Sequence, residues 1–485
     1  MVRVYNTLSR RLEEFRPRDG DRVTMYVCGL TPYDFTHVGH ARTYVAYDVI
    51  LRYLRFRGYR VFYVQNFTDI DDKIIARARE EGRSPFEVAE FYSEAYLEDM
   101  DRLGVLRANV YPKVTEHIPQ IIEAVQALVD KGHAYVLDGD VYFDVTSFPG
   151  YGKLSGKNLD ELVAGARVEP RPGKRHPLDF ALWKAAKEGE PSWDSPWGPG
   201  RPGWHIECSV MSVSYLGMGF DIHGGAIELS FPHHENEIAQ SEAWTGESPF
   251  VRYWVHTGLV TIGGEKMSKS LGNIVTVREA LDKYEPDALR LFFLRAHYRQ
   301  PIDFTWEGLE EAARALRRLR IALDTSAKEA SGPPREGEVP LEGLARAVRE
   351  TRRRFVEAMD DDFGTPEAVG ALFSLVHEMN SVVNHPKFVR TLGARALLAE
   401  AASELSELMS VLGLSPWGGM AREGGAGEAV PKLVEELVSL IVDVRHKLRE
   451  RKEYDLSDGI RARLRELGVI LEDRREGTTW RLEGR

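Results

Sequence analysis

The stretch RVTMYVCGLTPYDFTHVGHARTYVAYDVILRYLRFRGYRVFYVQN (22–66) decides the fold. Its first segment, RVTMYVCG (22–29), is a short run rich in Val, Met and Tyr that closes on glycine, and it reads as a strand. The loop LTPYDFTHVGH (30–40) follows. ARTYVAYDVILRYLRFRG (41–58) then sets Val45, Val49 and Tyr53 at helical spacing, with Leu54 beside them. Gly58 stands where a glycine ends a helix. YRVFYVQN (59–66) reads as a second strand. Strand, crossover helix and strand in so short a span predict a right-handed parallel unit. Such sheets bind ligands beyond the carboxyl ends of their strands, which is where the 30–40 loop lies.

Working outward, HAYVLDGDVYFDV (133–145) reads as strand, turn and strand with Gly-Asp at the turn. Residues 146–203 are irregular and rich in Gly, Pro and Trp, as an element inserted into the nucleotide-binding domain would be. The α/β pattern resumes at FDIHGG (220–225) and YWVHTGLVTIGG (253–264). From about 276 the chain reads as helical, with amphipathic candidates at 279–295 and 307–324. EASGPPREGEVP (329–340) is a loop. Thr365-Pro366-Glu367 predicts a helix start with Thr365 as N-cap, and Val369, Leu372, Phe373 and Val376 form the apolar stripe behind it. WGGMAREGGAGEAVP (417–431) is an interdomain linker, and a helix is expected around 432–452. The expected architecture is α/β: a Rossmann-like parallel-sheet catalytic domain (1–115 and 200–262) split by an inserted connective domain (116–199). A loop and stem-contact region (263–315), an α-helical bundle (316–415), a linker (416–431) and a small C-terminal module (432–485) follow.

The 485 residues suit several domains, each able to bury a core without a staple. Two cysteines, Cys28 and Cys208, exclude a disulfide scaffold. No apolar run approaches the ~20 residues of a membrane span. MVRVYNTLSRRLEEF lacks the apolar stretch of a signal peptide, so a cytoplasmic protein is expected. The net charge of −11 argues against a uniformly basic coat but leaves room for a local basic face on RNA.

Three constellations carry chemistry. His37-Val38-Gly39-His40 follows a strand and opens a helix. Two imidazoles there can donate hydrogen bonds to a polyphosphate, assisted by the helix dipole, and Gly39 allows close approach. Alone, the motif is as readily two loop histidines. Lys266-Met267-Ser268-Lys269-Ser270, flanked by glycines, places two ammonium groups three residues apart, where a leaving pyrophosphate could be held. Cys28, Cys208, His233 and Glu237 make an acceptable zinc shell, with His233 and Glu237 at i and i+4 on one helix face. His234 is the alternative imidazole, at i+3 from Glu237. The bland alternative is a pair of small buried apolar cysteines. Asp69, Asp71 and Asp72 read first as a helix cap rather than as a magnesium site. Arg346, Arg349, Arg352, Arg353 and Arg354 form either a solvated helix face or a contact with RNA phosphate, as does Arg445-His446-Lys447-Leu448-Arg449.

HVGH and, about 230 residues later, KMSKS resemble the two signatures of class I aminoacyl-tRNA synthetases. MYVCGLTPYD, FTDIDDKI, GRPGWHIECS, FPHHENEIAQSE, EKMSKSLGN and EPDALRLFFL are similar to the cysteinyl-tRNA synthetase family, as is the tail LRELGVILEDRREGTTWRL. The resemblance implies a monomer that joins L-cysteine to cysteine tRNA with ATP and Mg²⁺. It implies ATP contacts from His37, Gly39 and His40, transition-state contacts from Lys266 and Lys269, and one zinc ion on Cys28, Cys208, His233 and Glu237. Thr31, Thr68, Trp204 and Glu228 would fall in the cysteine pocket. Many relatives carry Asp where this chain has Glu228, one methylene longer, which puts its grip on the substrate amine in question. No editing domain is expected, because the inserted region is small. Two other readings compete: a cysteine:amino-sugar ligase of the same superfamily, which needs no RNA-reading tail, and an inactive RNA-binding paralogue, which should have lost signature residues.

Overall fold

The computed structural model describes residues 1–165, 172–267, 272–417, 441–442, 444–445, 448, 453–466, 469–474 and 477–482. The chain forms two compact units, Met1–Gly419 and Met420–Arg485.

The first unit opens with a hairpin, β1 (Arg3–Asn6) and β2 (Arg11–Glu14), and then the βαβ unit: β3 (Arg22–Val27), α1 (Val38–Phe56) and β4 (Arg60–Gln65). Gly58 takes a left-handed φ of 90° just past the end of α1, a conformation that costs glycine little. Asp71 caps α2 (Asp72–Glu81) by accepting from Lys73 N, whereas Asp69 accepts from Thr115 N and Oγ1 instead of capping the helix. A capping box at Ser84 and Glu87 starts α3 (Pro85–Arg102). The next segment carries α4 (Ile118–Asp130), β5 (Ala134–Leu137), β6 (Asp140–Phe143), α5 (Leu159–Gly165), β7 (Phe180–Ala185) and β8 (Gly200–Pro202). β5 to β8 form an antiparallel sheet in sequence order, so part of the stretch expected to be irregular is regular. The β5–β6 turn is Asp138-Gly139, one residue earlier than the expected Gly-Asp, because Leu137 pairs with Asp140 and both turn residues have positive φ.

Then come α6 (Trp204–Leu216), β9 (Phe220–Ala226), α7 (His233–Thr245), β10 (Val251–Thr257), β11 (Val260–Ile262) and β12 (Glu265–Lys266). The central sheet has the order β10-β9-β3-β4 with every pair parallel. Alternation along β3 sends Val23, Met25 and Val27 into one core with α1, while Tyr26 and Cys28 join the other, with Ile206 and Val210 of α6 and Ile238 and Ala239 of α7. Both faces are covered, as parallel sheets require.

The helix expected over 279–295 is two helices, α8 (Val277–Leu281) and α9 (Pro286–Leu294). Pro286 sits at the first turn of α9 and Glu285 before it is extended, which breaks the run. β13 (Ile302–Asp303) pairs with β11. The bundle follows: α10 (Trp306–Ser331), α11 (Glu342–Asp360), α12 (Thr365–Val383) and α13 (Leu392–Val411). Thr365 is the first residue of α12 and Gly364 holds the cap position, a shift of one from the expectation. Leu316, Leu319, Phe355, Met359, Leu372, Leu405 and Leu408 fill the bundle core. Arg290 of α9, fully buried, pairs with Asp48 of α1 at 2.5 Å and donates to the carbonyls of Leu103 and Leu412, tying the HVGH helix to the bundle.

In the second unit, a helix over Tyr454–Glu466 precedes an antiparallel pair, Val469–Arg474 with Gly477–Leu482. Most of the 417–431 linker and of the 432–452 helix lies outside the described residues. No described helix is long and apolar enough to cross a membrane.

Candidate functional site

The segments after the carboxyl ends of β3, β4 and β9, with α6 beside them, carry most of the residues singled out in the sequence. Cys28 ends the β3 segment, Cys208 projects from the second turn of α6, and His233 and Glu237 share one face of α7. The structure brings all four together, and each is at most 5% exposed. Cys28 Sγ lies 3.8 Å from Cys208 Sγ and 3.6 Å from Glu237 Oε1, and His233 Nε2 lies 2.9 Å from Glu237 Oε1. A tetrahedral zinc with Zn–S of ~2.3 Å and Zn–O of ~2.1 Å has S···S and S···O edges of about 3.8 and 3.6 Å. The thiol and carboxylate spacing therefore fits that ion.

His234 also enters the cluster, with Nε2 3.3 Å from Cys28 Sγ and 4.0 Å from Glu237 Oε1. Cys28, His233, His234 and Glu237 each offer a ligand atom within 4.8 Å of the others. Geometry alone leaves both imidazoles in reach. They differ in their second nitrogen: His233 Nδ1 meets His205 Nδ1 at 2.9 Å, and His234 Nδ1 meets His256 Nε2 at 2.8 Å.

The electrostatics separates them further. Burial opposes charge on His233, but Glu237 and Cys208 push its imidazole up to about 10. Burial, followed by the surrounding histidines, drives His234 well below the usual imidazole range and keeps it neutral. Cys208 accepts a hydrogen bond from Cys28 and falls to about 6, while burial and the Cys208 hydrogen bond push the Cys28 thiol up. Burial would raise Glu237, yet His223 and His233 hold it down to about 2. Thus Glu237 and Cys208 are drawn toward their anionic forms and His233 toward its cationic form by one another.

Sequence reasoning passed over His205, His223 and His256. His223 donates from Nε2 to Glu237 Oε2 at 2.7 Å, and His256 reaches Thr7 Oγ1 at 2.8 Å. For His223 and His256 the available signal was a histidine inside a buried strand, as in FDIHGG and YWVHTG.

The cysteine-pocket candidates surround this cluster. Thr68 is buried and donates to Glu207 Oε2 at 3.2 Å. The Trp204 ring stands 4.4 Å from the His233 ring. Thr31 lies in the loop after β3, its carbonyl accepting from Tyr33 N. Glu228 pairs with Lys266 Nζ.

On the other side of the loop, His37 is the N-cap of α1: its Nδ1 accepts from His40 N at 3.2 Å. The proton of neutral His37 therefore resides on Nε2, which can donate to a phosphate oxygen. The two rings stack at 3.6 Å. Burial lowers His37 to about 4 and pushes His40 well below the imidazole range, which favours the neutral form of both. The KMSKS flank is knitted to this motif: Val38 N donates to Val275 O and Val277 N to Thr36 O. A Cβ on Gly39 would stand 2.7 Å from Met267 Cε, so the glycine lets Met267 lie against the motif. Lys269 lies outside the described residues.

The arginine run on α11 divides. Arg352 pairs with Glu404 and Glu407 and Arg353 with Glu357, whereas Arg346 and Arg354 line a cleft with His377 of α12. Arg445 is buried, and His446, Lys447 and Arg449 lie outside the described residues.

Residues 14–314 match the family described as the tRNA synthetases class I (C) catalytic domain, and residues 354–415 match the DALR domain. The chain is 51% identical over 487 residues to the cysteine–tRNA ligase of Pelotomaculum thermopropionicum, covering 100% of both chains. It is 52% identical over 486 residues to that of Thermococcus onnurineus, covering 99% of both. Among solved structures it resembles a methionyl-tRNA synthetase of Mycobacterium tuberculosis in complex with methionyl-adenylate (TM-score 0.62, 16% identity, 81% of this chain and 91% of that one). A putative arginyl-tRNA synthetase of Campylobacter jejuni is also similar (TM-score 0.58, 12% identity, 81% and 93%).

Proposed function

Because the chain belongs to the cysteine–tRNA ligase family of class I synthetases, we propose that it couples L-cysteine to cysteine tRNA in two steps on this site. The cysteine carboxylate attacks the α-phosphorus of ATP, the bond to the β-phosphate oxygen breaks, and pyrophosphate leaves with Mg²⁺. A terminal ribose hydroxyl of the tRNA then attacks the cysteinyl carbonyl, giving up its proton as AMP departs.

His37 Nε2 and His40 take the phosphates as neutral donors at the α1 N-terminus. Gly39 lets ATP approach the backbone, and Lys266 and Lys269 neutralise the departing pyrophosphate. Cys28, Cys208, His233 and Glu237 hold zinc; His233 is favoured over His234 because it is closer to Glu237 and shares the charges of Glu237 and Cys208. When bound, zinc would supply a Lewis acid able to take a thiolate in addition to its protein ligands and to discriminate against the hydroxyl of serine. Thr68, Thr31 and Trp204 shape the pocket around that position. A pocket lacking such a ligand distinguishes a methylene by only ~1–3 kcal/mol, so metal selection removes the need for an editing domain. The bundle and the C-terminal module serve the tRNA, and the enzyme works as a cytoplasmic monomer.

The observation that carries this reading is the convergence of two sulfurs and a carboxylate at tetrahedral-edge spacing, with an imidazole 2.9 Å from that carboxylate, at the carboxyl edge of a parallel sheet. The test is aminoacylation of a cysteine tRNA transcript with labelled cysteine. Acid-stable attachment to the RNA that requires ATP is the expected result. Transfer of cysteine to an amino sugar, with none to the transcript, would establish the rival ligase instead.

A further inference from the structure

Arg42 belongs to the second turn of α1, two residues beyond His40, and is only 2% exposed. A buried guanidinium keeps its charge, so its surroundings must compensate it. Here backbone alone does so. Nη1 donates to Leu259 O at 2.6 Å, and Nη2 donates to His297 O at 3.3 Å and to Gln300 O. Among the described residues no carboxylate pairs with it. The proposed function makes no use of this cation.

The three carbonyls belong to two segments that root the KMSKS hairpin. Leu259 O also accepts from Ile302 N, at the start of the β11–β13 ladder. Gly258 N donates to Tyr298 O, and a Cβ on Gly258 would stand 2.4 Å from Gln300 O. The two segments therefore run in close contact. β11 pairs onward with β12, which ends on Lys266. Further along, the chain returns to the same helix, where Val38 N donates to Val275 O at 3.0 Å. α1 thus holds both ends of the segment 259–275: Arg42 grips its entry and the backbone of Val38 its exit. Thr43 adds a contact at the entry, its Oγ1 lying 3.0 Å from Thr257 Oγ1. A guanidinium suits the entry because its two terminal nitrogens reach both segments at once in a fixed fork, which a point-like ammonium does not.

We propose that Arg42 is a positioning residue for adenylate formation: its buried guanidinium clamps the root of the KMSKS hairpin to the HVGH helix and so sets where the Lys266 charge stands relative to His37 and His40. This rests on the proposed function above and goes beyond the residues it assigns to ATP. The two histidines meet the phosphates at the head of α1, and Lys266 must meet the same phosphates from a separate segment. A displacement of ~1 Å between the two would lower the rate ~100-fold. Arg42 acts on the reaction only through the placement of Lys266.

The test measures cysteine-dependent pyrophosphate exchange in the full-length parent, Arg42→Met, Lys266→Ala and the double variant. Arg42→Met should lower kcat ~100-fold with little change in the KM for cysteine, whose pocket is built on other elements. Lys266→Ala should do far less damage in the Arg42→Met background than in the parent, because a displaced lysine has little left to lose. An unchanged kcat in Arg42→Met overturns the proposal. So do losses that multiply in the double variant, the signature of two independent effects. So does a fall in kcat matched by an equal rise in the KM for cysteine, the signature of a general loosening. Arg42→Lys covers the case in which Arg42→Met does not fold. It keeps the buried charge and gives up the fork, so it should lose ~10-fold in kcat and show the same weakened response to Lys266→Ala. Full kcat in Arg42→Lys, or losses that multiply there, overturn the clamp as well. A parent with no cysteine-dependent exchange defeats the proposed function first, whereas an active parent with multiplying losses defeats the clamp alone.

Discussion

At the sulfur end of the site, Cys28, Cys208, His233 and Glu237 are 5%, 2%, 1% and 0% exposed, and regular elements hold three of them. At the phosphate end, the Lys266 side chain is 66% exposed and its partner Glu228 41%, on a two-residue strand and a single 3-10 turn. The first arrangement is assembled in advance and buried in packing, as the proposed discrimination between sulfhydryl and hydroxyl would demand. The second is weakly held, because an exposed ion pair contributes ~0–1 kcal/mol. A lysine restrained so lightly can exchange its carboxylate partner for a phosphate without large cost. On the proposed function, selection and leaving-group stabilisation would thus place opposite demands on neighbouring segments.

That contrast breaks first at the sulfur end. Cys208→Ala should lower cysteine-dependent pyrophosphate exchange by more than ~100-fold and remove the bound metal, exceeding the loss of an outer partner. Exchange at the parental rate would show that the cluster has no part in activation. The two imidazoles sharpen the same point: His233→Ala should abolish zinc retention while His234→Ala keeps one zinc per chain, and metal analysis showing the reverse would exchange their roles.

At the phosphate end, Lys269→Ala should reduce kcat for adenylate formation by ~100-fold or more, with a much smaller change in the KM for cysteine, since its charge acts on the leaving group. An unaltered kcat removes Lys269 from the transition state. The smallest effect is expected at Asp71. Its replacement by Ala should cost about 1 kcal/mol of stability through loss of the α2 cap, leaving the magnesium dependence of exchange unchanged. A shifted magnesium requirement would instead make the aspartate run a cation site.

The parallel core was legible because β3, α1 and β4 announce themselves by apolar period and by Gly58. The four sulfur-end residues could be named because cysteine is scarce here and His233 and Glu237 fall on one helix face. What escaped was set by partners distant in sequence. His205, His223 and His256 matter only because the fold brings their rings against those of His233 and His234 on α7, and no local spacing encodes that. The acids that neutralise Arg352 come from α13, more than fifty residues on, so the α11 charge run looked more available than it is. Pro286 was misjudged for a different reason: the apolar period of 279–295 continues across it, while the backbone cannot.

The most direct measurement strips the full-length enzyme of metal with a chelator and follows cysteine-dependent pyrophosphate exchange before and after zinc is restored. Exchange should collapse on stripping and return as zinc reaches one equivalent per chain. Full exchange in protein shown to contain no metal would contradict the claim that these four side chains recognise the substrate sulfur through zinc.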